Sequence, residues 1–412
     1  LNFFRTLDAQ LRRKLLVLFT AGLLFWSSLA SLLPTLPLYI EEVGATRQQI
    51  GVVMGCFAIG LLLFRPLVGR LADQHSRKIV LLIGMSVVAI APLGYLIVKS
   101  VGLLMVIRAF HGISIAAFAT GYSALVADIA PSEKRGEVIG YMSLVNPIGM
   151  ATGPALGGFL QAEVGYAALF LLSSGLGFIG LLCTSRIINP RVGSGQLQSD
   201  ATSNKFWQLL ATPRIRVPAL VLLMVGLAFG ALSTFVPLFI RSSGVDLNAG
   251  LFYTAAAVAS FSVRLITGRA SDRYGRGLFI TISLFLYTLA MLMIWTANSP
   301  VTFLMAAAIE GAGAGILIPM IAAMMADRSL PHERGRLFGL CMVGFDVGIA
   351  IAGPVLGAIA EQVGYRNIFG FASGLTFLAI IIFVTQSSKD LPHSFRFALG
   401  RGEDVYALDN AS

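Results

Sequence analysis

Four side chains able to carry charge or a proton stand inside otherwise charge-free stretches: Arg108, His111, Glu310 and Asp346. A charge at a bilayer centre costs about 2.5–3.5 kcal/mol on insertion scales, so each of these calls for a role. Arg108 and His111 are three residues apart and share one helix face with Gly112. Glu310 matches His111 when the chain is shifted by 199 residues, and Asp346 matches Asn146 at a shift of 200. These residue types permit proton coupling or contact with a substrate in a cavity. A carboxyl can be neutral in one access state and ionised in another, and an approaching guanidinium would bias that balance. Glu310 and Asp346 are the acids placed for this, with Arg108 as the cation that acts on them. The blander reading of Arg108 is a fixed structural pair or bonds to backbone carbonyls. For His111 it is a hydrogen-bonded buried side chain. Arg65 and Arg264 lie nearer the ends of their stretches, where their stems can reach the interface, and read as structural.

The elements that must position these groups are membrane helices. Of 412 residues, 56% are hydrophobic and only 12% charged, about half the charge that a water-facing surface of this size carries. Charge-poor windows fall near 15–40, 50–70, 79–98, 102–126, 137–161, 166–185, 215–240, 249–270, 277–297, 301–325, 336–360 and 366–386. Each approaches the ~20 residues a helix needs to cross a bilayer, which makes twelve spans and puts both termini on one side. That side collects 23 of the 30 Lys and Arg residues against 4 on the other, so it is expected to be cytoplasmic. The first apolar run is about twice a signal-peptide core and is expected to stay as a membrane helix. The net charge of +10 is scattered in short clusters, without the basic face interleaved with aromatics that nucleic-acid binding needs. Cys56, Cys183 and Cys341 lie singly in apolar runs, giving neither a metal spacing nor a disulfide framework.

The shift of 199–200 residues is a repeat. Arg65, Gly69, Arg70 and Asp73 align with Arg264, Gly268, Arg269 and Asp272. Asp128, Arg135 and Gly136 align with Asp327, Arg334 and Gly335, and Gly153-Pro154 with Gly353-Pro354. The chain thus reads as an all-α membrane protein of two six-helix halves, 15–185 and 215–386, with a pseudo-twofold along the membrane normal and a substrate site between them. Residues 1–14 form a cytoplasmic N-terminus, 186–214 a cytoplasmic linker and 387–412 a cytoplasmic tail.

Gly69-Arg-Leu-Ala-Asp73-Gln-His-Ser-Arg77-Lys78 resembles the loop signature between the second and third helices of the major facilitator superfamily. Arg108-Ala-Phe-His-Gly112 is similar to that family's fourth-helix signature. Gly149-Met-Ala-Thr-Gly153-Pro154-Ala-Leu-Gly157-Gly158 resembles the fifth-helix signature of its twelve-helix drug:proton antiporters. The resemblance implies a loop latch in which Gly69 allows close approach, Asp73 meets a helix N-terminus and Arg77 holds the acid. The repeat places the second copy at Gly268, Asp272 and Arg276. This first copy departs from the pattern at Gln74 and Ser76, where Arg and Gly are usual. Asp128, Arg135, Asp327 and Arg334 make a further matched cytoplasmic charge network. The glycines at 149, 153 and 157 share a face that lets helices pack closely, and Pro154 permits a bend.

The resulting expectation is a proton-driven exporter of small amphipathic compounds, a monomer in the cell membrane, with no cofactor beyond the proton gradient. The alternatives are proton-coupled traffic of a specific metabolite, such as a sugar or siderophore, and a non-transporting membrane sensor. No P-loop, zinc spacing or nucleophile elbow suggests an enzyme.

Overall fold

The computed structural model describes residues 8–131, 134–187, 212–330 and 333–408, without the side chains at positions 73, 268, 269, 272, 335 and 336. Most of the expected linker, 186–214, lies outside the described residues. Among the described residues the regular elements are helices: α1 Ala9–Ser31, α2 Leu36–Glu42, α3 Arg47–Gln74, α4 Arg77–Ile97, α5 Val101–Ile129, α6 Arg135–Ser143, α7 Val145–Val164 and α8 Tyr166–Ser185. They continue with α9 Pro213–Ser242, α10 Ala249–Tyr274, α11 Arg276–Thr296, α12 Pro300–Asp327, α13 Arg334–Gln386 and α14 Leu391–Ala398. A lipid-embedded chain must satisfy its backbone polar groups internally, which for apolar runs of this length means helices.

Ten helical segments are long and apolar enough to cross a membrane. They resolve into twelve spans in two steps. The segment Leu337–Gln386 turns at Gly364, whose φ of 81° no helix contains. The short α6 and α7, separated at Leu144, together supply the fifth span. In the first span Pro34 and Pro37 withhold backbone donors, and the helix breaks between Ser31 and Leu36.

The chain divides into two compact units, Leu1–Leu197 with Asn248–Thr254, and Gln198–Leu247 with Ala255–Ser412. Inside each, glycines bring helix backbones together. In the first unit Gly112 of α5 faces the Phe57 carbonyl of α3, and Gly60 of α3 faces the Ala109 carbonyl. In the second, Gly311 of α12 faces the Ala256 carbonyl of α10, and a side-chain carbon at Gly315 would sit 2.5 Å from Ser260 O. The 199-residue repeat is therefore a repeat of packing: Gly112 with Phe57 corresponds to Gly311 with Ala256. A second matched contact joins α1 to α7 and α9 to α13. Gly149, Gly153 and Gly157 meet Trp26, Ser27 and Ser31, while Gly344 and Gly348 meet Ala219 and Leu223.

Candidate functional site

Helices α3, α4 and α5 position the polar groups of the first unit. Arg108 is 7% exposed and His111 fully buried. The His111 Nδ1 lies 3.1 Å from the Tyr95 hydroxyl of α4, and the Phe57 ring of α3 packs edge-on against the imidazole at 5.7 Å. The guanidinium of Arg108 sits over the same Phe57 ring, 4.4 Å from its centroid, and close to the Tyr95 hydroxyl. Such a ring stabilises a desolvated cation by about 2 kcal/mol. Tyr39 locks Tyr95 from behind by donating to its carbonyl at 2.8 Å, and Phe170 of α8 packs beside both tyrosines. Arg108 Nε and His111 Nε2 are among the buried polar atoms left without a partner in the described residues. Buried polar groups are rarely left unmatched in a resting fold.

The second unit builds an acidic counterpart at the matched place. Glu310 of α12 is 6% exposed, and the Tyr287 side chain of α11 stands beside its carboxyl. Arg264 of α10 lies within electrostatic reach of the same tyrosine, a polar neighbour in addition to the structural role its place in the sequence implies. Asp346 of α13 is 7% exposed and engaged in interactions of its own. Its neighbour Phe345 lends a carbonyl to the close contact with Gly226 of α9. Tyr95 and Tyr287 are the site residues that sequence reading missed. They carry no charge at neutral pH, so nothing separated them from packing aromatics.

The loop signatures fall at helix junctions. Asp73, Gly268 and Asp272, expected as latch residues, lie outside the described residues in their side chains. Among the described residues, no atom comes within 4 Å of where a side-chain carbon at Gly69 would stand. The departure at Ser76 has a structural counterpart. Ser76 caps α4 by accepting from the Ile79 amide at 3.3 Å, whereas Gly275 opens α11 through a φ of 85° with no side-chain cap. Arg77 reaches Asp128 at 2.8 Å, and Arg276 reaches Asp327 at 3.4 Å, an identical pairing in both units. The Arg77 Nε–H points off the carboxylate axis, making this a charge contact rather than an aligned hydrogen bond. Arg135 and Arg334 are exposed at the starts of α6 and α13, apart from those pairs in the described contacts. The last glycine of the fifth-helix signature, Gly158, packs on Asn248 and Gly250, and Thr254 donates to the Ala151 carbonyl at 2.9 Å.

A cluster that sequence reading did not find closes the basic end of the second unit. Arg328 is fully buried, and its Nε and Nη2 donate to the two Asp404 oxygens at 2.6 and 3.0 Å. Its remaining donors reach the carbonyls of Arg214 and Ser387. The tail after the last span therefore folds back onto its own unit.

This helical architecture, with an internal packing repeat and buried polar groups at matched places, is that of a membrane transporter. The Major Facilitator Superfamily model matches residues 18–271 and 248–397, and the chain belongs to that family. It is 25% identical over 353 residues to the multi-drug resistance efflux pump PmrA of Streptococcus pneumoniae, covering 83% of this chain and 88% of that one. It is 24% identical over 379 residues to the multidrug resistance protein MdtG of Klebsiella pneumoniae, covering 88% and 91%. Among solved structures it is similar to the nucleoside transporter NupG at a TM-score of 0.75 and 16% identity, covering 89% of this chain and 98% of that one. A bacterial homolog of the human lysosomal transporter Spinster gives a TM-score of 0.74 at 15% identity, covering 98% and 100%. The fold is the major facilitator fold of twelve spans.

Proposed function

We propose that this chain exports small amphipathic or drug-like compounds in exchange for protons, as a monomer with both termini in the cytoplasm. The observation that carries the reading is Glu310, a carboxyl buried in a membrane helix beside the Tyr287 side chain, with no ion pair among the described contacts. A carboxyl so placed can take up and release a proton as its surroundings change between access states. The names of the relatives support export of drugs. The unpartnered polar atoms of Arg108 and His111, against Phe57 and Tyr95, supply an amphipathic surface for a compound that is mostly apolar with a polar group. The 23-to-4 basic split supports the orientation.

Purified protein in liposomes, given an imposed pH gradient and a mixed compound panel, tests the reading. Uphill movement of an amphipathic compound is expected from the wild type and its loss from Glu310→Gln, with binding of the compound retained. Full gradient-driven transport by both Glu310→Gln and Asp346→Asn would overturn proton coupling through these acids. Movement of one polar metabolite alone, in place of the amphipathic compounds, would favour the metabolite reading. A reporter fused after Ser412 is expected to be active only in the cytoplasm.

A further inference from the structure

The last described helix, α14, is more than a connector in the tail. Four residues separate it from the end of the twelfth span at Gln386. Its inner face, Ser394, Phe397 and Ala398, is buried. Phe397 packs 6.0 Å from Phe383 in the last turn of that span, the Ala398 carbonyl accepts from Thr281 at 2.9 Å, and Gly277 abuts the Phe397 carbonyl. These contacts fix α14 at the level where the spans leave the bilayer. Its other face carries Leu391, Phe395 and Leu399, exposed by 58, 53 and 37% and spaced four apart along one line. The last span likewise exposes apolar side chains, Phe377, Leu378 and Ile381. The acids nearby are committed elsewhere: Asp390 caps the helix by accepting from the His393 amide at 2.9 Å, and Asp404 is bound to Arg328. Among the described residues of the tail, Lys389, Arg396 and Arg401 then stand against one uncommitted acid, Glu403, an excess of positive charge on the segment that carries the apolar row.

We propose that α14 is an interfacial anchor, lying along the membrane surface with Leu391, Phe395 and Leu399 among the lipid chains and Lys389, Arg396 and Arg401 at anionic headgroups. A short amphipathic helix with basic flanks binds such a surface through buried apolar area and charge together. The level set by the contact of Phe397 with Phe383 at the end of the last span, the exposed apolar row and the charge excess select the bilayer as its occupant. Because the tail beyond α14 returns to Arg328, the anchor also fastens the basic end of the second unit to the leaflet.

The test uses the full chain in vesicles of equal parts phosphatidylglycerol and phosphatidylcholine. Spin labels are placed singly at 391, 395 and 403, in a background with Cys56, Cys183 and Cys341 changed to Ser. Labels at 391 and 395 should be reached by oxygen several-fold better than by a water-soluble nickel chelate, and the label at 403 the reverse. Changing Lys389, Arg396 and Arg401 to Gln, or omitting phosphatidylglycerol, should raise nickel access at 395. Nickel access at 395 equal to that at 403, or shielding from both reagents by a protein partner, would overturn the proposal. If the cysteine-free background fails to fold, Phe395→Trp gives the same reading. Its added emission should be quenched by brominated lipid beyond the quenching of the three native tryptophans, and no added quenching would overturn it.

Discussion

Changing Asp404 to Asn removes the carboxylate bound to the fully buried Arg328, and the structure allows the cost to be worked out along two routes. If the tail stays docked, Arg328 keeps the carbonyls of Arg214 and Ser387 but loses its countercharge. Breaking a buried pair in this way costs about 3–5 kcal/mol. If the tail lifts, water hydrates Arg328, but the burial of Phe397 is forfeited, about 1.5–3 kcal/mol. Two hydrogen bonds also go, Thr281 to the Ala398 carbonyl and Leu408 N to the Asp327 carbonyl, at about 1 kcal/mol each. The two routes cost nearly the same, so the variant should divide its tail between docked and lifted forms while the wild type stays docked. A loss of about 3 kcal/mol raises the open fraction roughly 100-fold. Limited trypsin cleavage at Arg396 and Arg401, which requires local opening, reports that fraction. The double change Arg328→Met with Asp404→Leu should return cleavage toward the wild-type rate, because an apolar pair of similar volume replaces a buried ion pair at little cost. Wild-type cleavage in Asp404→Asn would refute the reasoning, since it would mean that the buried pair contributes nothing to docking.

Three further outcomes follow from the same geometry. Tyr287→Phe removes the hydroxyl beside Glu310 and should shift the pH at which transport is half-maximal while leaving insertion unchanged, measured by transport across a pH series; an unshifted profile would separate Tyr287 from coupling. Gly112→Val and Gly311→Val force side chains against the carbonyls of Phe57 and Ala256, and each should cost about 1–3 kcal/mol and lower the melting temperature in detergent, to a similar degree in the two units. Arg77→Gln and Arg276→Gln should each change stability by no more than about 1 kcal/mol, because both pairs are partly exposed, and added salt should reduce even that difference.

Much of this architecture is legible in the residues because bilayer length and charge exclusion leave few alternatives. The spans, the repeat and the burial of Arg108, His111, Glu310 and Asp346 all follow from where charge is absent. What escaped reading depends on contacts distant in sequence. Arg328 looks like one loop cation among several until Asp404, 76 residues later, folds onto it. Arg77 also meets Asp128, 51 residues away at the far end of the next helix, α5. Tyr95 and Tyr287 are silent to a search for charge, although each supplies the hydroxyl that meets the titratable group of its unit. Helix α14 is hidden inside a tail whose mixed composition reads as polar, since four-residue spacing over eight residues is a weak periodic signal.

Gly165 and Gly364, with φ of 98° and 81°, each reverse the chain within a single residue at matched places of the repeat. The other connectors at that end are equally spare, none longer than the six residues between Ser242 and Ala249. On the orientation proposed above, connectors so short offer a protease or an antibody outside the cell almost no chain to grip. An epitope tag grafted into one of them would have to displace a turn rather than extend a loop.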